Sequence, residues 1–186
     1  MSDAIQSLVN NNQVYASEGY AVPPPFSMVK TFPRNQVVAI VSCADPRLSP
    51  EEFLKLPKYM HPIINVAGGR AKNALRSLLV YEHHFGLAGI VVVHHTDCGM
   101  THVTDDALCA TFGARARALG EANPEKGKNM QMEIDSMEWD EITGRDVHAS
   151  VKSDVKYLRD YPLFSEGLKV VGLVFDLQTG RVEQVE

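Results

Sequence analysis

Cysteine is scarce in this sequence. Its three residues, Cys43, Cys98 and Cys109, are an odd number and too few to staple a fold of 186 residues, so metal binding or catalysis is the better use for them. Positive charge is also short, because 18 Lys and Arg face 23 Asp and Glu for a formal net charge of −5. The basic footprint of a nucleic-acid binder is missing, and no nucleic-acid partner is expected. Long apolar runs are lacking as well. No stretch reaches the roughly 18 uninterrupted apolar residues of a membrane span. Residues 1–7 show no basic region leading into an apolar one, so the expectation is a cytoplasmic protein without a membrane partner. What is present, 45% hydrophobic and 22% charged residues, suits a globular chain and argues against disorder, collagen or a coiled coil. The length favours one domain across residues 1–186.

Residues 3–19 carry Ala4, Ile5, Leu8 and Val9 at helical spacing, and residues 1–25 read as an amphipathic helical arm. Pro23, Pro24 and Pro25 then impose an extended connection. Residues 36–43 form a β-branched run, the pattern of a strand covered on both faces, and Ser49-Pro50-Glu51-Glu52 reads as a capping box. Residues 62–67 and 89–93 predict two further strands, and Asn73 reads as the cap of a helix ending at Gly86. Thr104 with Asp105 and Asp106 reads as the start of another helix. Residues 113–145, punctuated by Gly113, Gly120, Pro124, Gly127 and Gly144, predict loops and short helices. Val147, Val151, Val155 and Leu158 predict a helix ending before Pro162, residues 168–175 a fourth buried strand, and residues 181–185 an antiparallel edge strand. The fold class is therefore α/β: a mostly parallel sheet of about four strands plus an antiparallel edge strand, with helices on both faces and an N-terminal helical arm.

Cys43 closes the first predicted strand, and His95 and Cys98 follow the third. In open α/β sheets, sites form outside the carboxyl ends of strands, so adjacent strands would bring these groups into one crevice. Thiolate and imidazole are zinc's preferred donors, and three protein ligands leave one coordination position open. Asp45, two residues beyond Cys43, is placed to take it. His94 lacks the His-x-x-Cys spacing and reads as a core histidine, while His102 is near enough in sequence to act as a proton relay. Cys109 reads as a packing residue, and Met130, Met132 and Met137 as a loop packed on the core or on a partner. Asn65, Gly68 and Gly69 suit either a pocket wall or a tight turn.

Cys43-Ala44-Asp45-Pro46-Arg47 followed by His95-Thr96-Asp97-Cys98-Gly99 resembles the paired Cys-x-Asp-x-Arg and His-x-x-Cys signatures of the β-class carbonic anhydrases, especially the family's short members. The resemblance extends through Ala67-Gly68-Gly69, Leu75-Arg76-Ser77-Leu78, Thr104-Asp105-Asp106 and residues 174–180. Where many members have Arg-Asn-Ala-Gly, this chain has Asn65-Val66-Ala67-Gly68. The resemblance implies Zn2+ held by Cys43, His95 and Cys98, with reversible hydration of carbon dioxide to bicarbonate and a proton by zinc-bound hydroxide. Asp45 would orient the hydroxide and Arg47 would hold Asp45; released by Arg47, Asp45 would become a conditional fourth ligand in a closed form. It also implies a homodimer or dimer of dimers, with the arm lying across the other subunit. Two alternatives accompany this reading: hydrolysis of carbonyl sulfide or carbon disulfide, activities of relatives sharing the metal motif, and a noncatalytic zinc-binding protein closed by Asp45.

Overall fold

A computed structural model of the protein describes residues 3–186. Met1 and Ser2, the first residues of the expected arm, lie outside the described residues. The chain divides into two compact units, Met1–Thr31 and Phe32–Glu186.

The first unit holds α1 (Asp3–Ser17) and the single turn α2 (Phe26–Val29). Gly19, at φ +83°, follows α1 in a conformation that glycine adopts without strain. The prolines lead into α2 in extended backbone, as expected. None of the residues of α1 is buried, and Leu8, Val9 and Val14 are exposed.

The second unit is built on β1 (Val38–Cys43), β2 (Ile63–Val66), β3 (Gly89–His95), β4 (Lys169–Phe175) and β5 (Val182–Gln184), ordered β2-β1-β3-β4-β5. All neighbours are parallel except β4 and β5. Four parallel strands and an antiparallel edge are what the apolar runs predicted. Alternate residues feed two cores. Ala39, Val41, Ile90, Val92, Val170 and Val174 belong to one, with α4 (Ala71–Phe85) contributing Ala71, Ala74 and Leu78 and α7 (Val147–Arg159) contributing Val147, Val151, Val155 and Leu158. Ile40, Val93 and Phe175 belong to the other, packed against Phe53, Leu54 and Leu56 from α3 (Pro50–Phe53) and the loop after it. Each of the Val, Leu, Ile and Phe side chains among them contributes about 1.5–3 kcal/mol when removed from water, before the entropy of ordering is counted.

Three local expectations fail. Ser49 does precede α3, but its hydroxyl makes no cap and turns to Glu51 at 3.4 Å. Asn73 is the third residue of α4, not its cap; the helix starts after Arg70, and the Ala71 amide donates to Asp154 at 3.1 Å. A carboxylate from another helix thus satisfies a donor that local capping would otherwise serve. Of residues 113–145, expected to form loops and short helices, 113–136 instead complete α5 (Asp105–Ala122) and make α6 (Pro124–Ser136), while 137–145 are loop with one short turn at Thr143–Arg145, as expected. Gly127 serves close approach: a Cβ there would stand 2.5 Å from the Gly120 Cα and 2.9 Å from the Ala116 carbonyl oxygen. Thr104 caps α5 as expected, accepting from the Ala107 amide. No helix among the described residues is long and apolar enough to cross a membrane.

Candidate metal centre

From β1 the chain moves to β2 on one side of the sheet, and from β3 to β4 on the other. The carboxyl ends of β1 and β3 therefore flank a topological switch point, where an open α/β sheet leaves a crevice. Ser42 of β1 lies beside Val93 of β3, so Cys43 and the His95 turn end at the same level.

There the Cys43 Sγ, a His95 ring nitrogen and the Cys98 Sγ lie within 4.8 Å of one another, all from buried residues. The two sulfurs are 3.9 Å apart. The His95 Nδ1 donates to the Thr96 carbonyl oxygen at 2.9 Å, which leaves Nε2 as the ring nitrogen available to a ligand. That Nε2 is buried and has no hydrogen-bond partner. An orphaned acceptor beside two converging thiols fits a metal ion well, since two thiolates and an imidazole are borderline-soft donors. Among the described residues no other group of His, Cys, Asp or Glu has this arrangement.

The contact between the two sulfurs pulls Cys43 down to about 4 against the effect of burial, with the Asp45 amide helping. The same contact, followed by burial, pushes Cys98 up. The Asp45 and Met100 amides each point at one sulfur, so the backbone already favours thiolate.

Asp45 stands beside this set, its Oδ2 3.8 Å from His95 Nε2. Arg47 holds it with a fork, Nε to Oδ1 at 2.9 Å and Nη2 to Oδ2 at 2.7 Å, and adds its own amide at 2.9 Å. These hydrogen bonds, above all those of the side chain, keep the Asp45 carboxyl far below the ordinary range despite some burial. The other edge of Arg47 meets Asp97, with Nη1 2.8 Å from Oδ2 and Nη2 2.9 Å from the carbonyl oxygen. A cavity of about 760 Å³ opens beside them, lined by Arg47, Thr96, Asp97, Asp176, Leu177 and Gln178. A groove of about 890 Å³ lies instead at the amino ends of the strands, around Val38, Gly89 and Lys169, away from every motif residue.

The other candidates sort clearly. His94 is buried, with Nε2 3.2 Å from Asp154 Oδ2. Period-two alternation sends His94 and His95 to opposite faces of β3, which separates the two adjacent histidines. Gly68 and Gly69 both take positive φ, and a Cβ on Gly69 would meet the Val93 oxygen at 2.9 Å and the Cys43 nitrogen at 3.2 Å; they form a turn packed behind Cys43. Asn65 and His102 are exposed. Cys109, expected to pack, is exposed on α5, and Met132 and Met137 are exposed too. Spacing alone missed Asp97 as a partner of Arg47, although it sits inside the His-x-x-Cys turn. It also missed Arg70, whose buried fork on Asp154 joins positions 84 apart.

A carbonic anhydrase family profile matches residues 38–182. The solved carbonic anhydrase from Glaciozyma antarctica is 32% identical, with a TM-score of 0.72 and 100% of both chains covered. Beta-carbonic anhydrase 1 of Mycobacterium tuberculosis is 28% identical over 180 residues, 94% of this chain and 93% of that protein. A carbon disulfide hydrolase from an Acidianus species is 26% identical over 164 residues, 84% of this chain and 80% of its own.

Proposed function

The chain belongs to the β-carbonic anhydrase family, and we propose that it hydrates carbon dioxide reversibly to bicarbonate and a proton at a zinc ion held by Cys43, His95 and Cys98. The observation that carries this reading is the convergence of those three donors beside an Asp45 carboxylate gripped by Arg47. When bound, the ion supplies a Lewis acid that makes a nucleophile from water near neutral pH.

The chain's own residues supply orientation. Asp45, kept ionised by Arg47, is an acceptor beside His95 Nε2 and can align the proton of an attacking water. Its low basicity means that it orients that proton and does not store it. Arg47 occupies both oxygens of Asp45, which favours an open centre over one closed permanently by the carboxylate. The 32% identity of the Glaciozyma antarctica enzyme, against 26% for the Acidianus hydrolase, favours carbon dioxide as substrate, while the carbon disulfide hydrolases among the relatives make sulfur-containing analogues the rival. The catalytic body is Phe32–Glu186, and the arm, with no buried residue in α1, suits a homodimer or dimer of dimers in which it covers a second copy. Thiolate ligands need a reducing compartment, in keeping with a cytoplasmic location.

Purified protein should hold about one zinc per chain, and Cys43→Ser, His95→Ala and Cys98→Ser should each lose most of it, while Cys109→Ser should not. Carbon dioxide hydration and sulfide release from carbonyl sulfide and carbon disulfide should be assayed in parallel on metal-quantified protein. Sulfide release without carbon dioxide hydration would overturn the substrate assignment and leave the metal site standing.

A further inference from the structure

Arg47 divides its guanidinium between two carboxylates. Nε and Nη2 face Asp45; Nη1 and Nη2 face the side chain and the carbonyl of Asp97. Because the guanidinium is planar and rigid, holding its outer edge also fixes its inner edge. Asp97 reaches both contacts from φ +53°, a left-handed conformation uncommon outside glycine. Its neighbours anchor that turn: the Thr96 amide donates to Phe175, the Thr96 hydroxyl accepts from the Leu177 amide at 3.1 Å, and the Cys98 carbonyl accepts from both the amide and the hydroxyl of Thr101.

The clamp has something to oppose. Asp45 Oδ2 already lies 3.8 Å from His95 Nε2, so a carboxylate released by Arg47 stands beside the donor set. The Arg47 side chain is 47% exposed, and water competes for it. We propose that Asp97 is a positioning residue that locks Arg47 onto Asp45 and thereby keeps Asp45 out of the metal's coordination sphere. The proposal rests on the Cys43–His95–Cys98 metal site argued above.

The test uses cobalt(II)-substituted full-length protein titrated with thiocyanate and followed by visible absorption. Asp97→Asn keeps the shape and tolerates the turn, while Asp97→Gly removes the side chain and suits positive φ. Each should weaken thiocyanate binding about two- to fivefold, Gly more than Asn, because Asp45 then competes for the metal. In an Asp45→Ala background, where no carboxylate can close the site, the sign should reverse: removing a negative charge near an anion tightens binding. Equal weakening in both backgrounds would indicate a merely structural role, and tighter binding in both would indicate simple charge repulsion; either result overturns the clamp, as does an unchanged affinity. Wild-type protein that takes up no cobalt overturns the metal site and the clamp together, whereas failure confined to the Asp97 variants overturns the clamp alone.

Discussion

Arg47 and Arg70 each fork onto one aspartate and reach a second, but they sit in opposite surroundings. The Arg70 side chain is 7% exposed and its fork partner Asp154 is 2% exposed; Arg47 is 47% exposed, with its fork partner Asp45 at 10% and its second partner Asp97 at 71%. Arg70 donates to Asp154 at 2.9 and 3.1 Å and to the carbonyls of Asp140 and Glu141 at 3.1 and 2.9 Å. Asp154 also accepts from Ala71 and pairs with His94. Burial raises its carboxyl, but the His94 hydrogen bond and the Arg70 charge outweigh that and hold it below the ordinary value. A buried fork of this kind cannot release one partner without stranding a charge. The exposed contact between Arg47 and Asp97 exchanges with water at little cost, which suits the adjustable clamp proposed above.

The sharpest way to break this contrast is Asp154→Asn. It leaves Arg70 buried without a full counter-charge and should lower unfolding free energy by about 3–5 kcal/mol in urea melts. A loss no larger than that of an exposed surface variant would sink the distinction. Replacing both partners, Arg70→Leu with Asp154→Leu, removes the stranded guanidinium but leaves the Asp140 carboxylate, 3.3 Å from Arg70 in wild type, together with His94, Ala71 and two carbonyls, short of partners. The double variant should recover part of the loss and remain about 1–3 kcal/mol below wild type; a double variant as unstable as Asp154→Asn would show that charge was not the cause.

Arg47→Ala should behave in the opposite way, cutting carbon dioxide hydration about 10- to 100-fold at unchanged zinc content while the urea midpoint barely moves. A large shift in that midpoint would place Arg47 with Arg70 as a structural residue. The smallest effect concerns acid. Because the folded-state pKa of Asp154 is depressed, its stabilisation is present above its unfolded value of about 3.9 and is lost as pH falls through its folded value. Below about pH 4, wild type should therefore lose stability more steeply than Asp154→Asn, a difference that equilibrium unfolding between pH 5 and pH 2.5 would reveal.

The readable parts of this protein share one property: their signals are local. β-branched runs marked β1, β3 and β4, and the Val147, Val151, Val155 and Leu158 spacing marked α7, because strand and helix periodicity act within a few residues. The three converging donors proposed to hold the metal were equally legible. His95 and Cys98 share one turn, while Cys43, Asp45 and Arg47 share one strand end, so only the adjacency of β1 and β3 had to be inferred.

Packing decided the rest. Gly120 and Gly127 look like helix breakers in isolation, yet they lie inside helices, and at Gly127 the backbone of the facing helix comes too close for a Cβ. The start of α4 is satisfied by Asp154, not by Asn73, and His94 is drawn to α7 by the same carboxylate. Asp97 meets Arg47 across 50 positions, and Arg70 meets Asp154 across 84. No spacing rule pairs residues that far apart. Turns, periodicity and donor type were settled by interactions between near neighbours in the chain, whereas these ion pairs and the glycine crossing exist only where the folded sheet and its helices bring distant segments within hydrogen-bond and van der Waals reach.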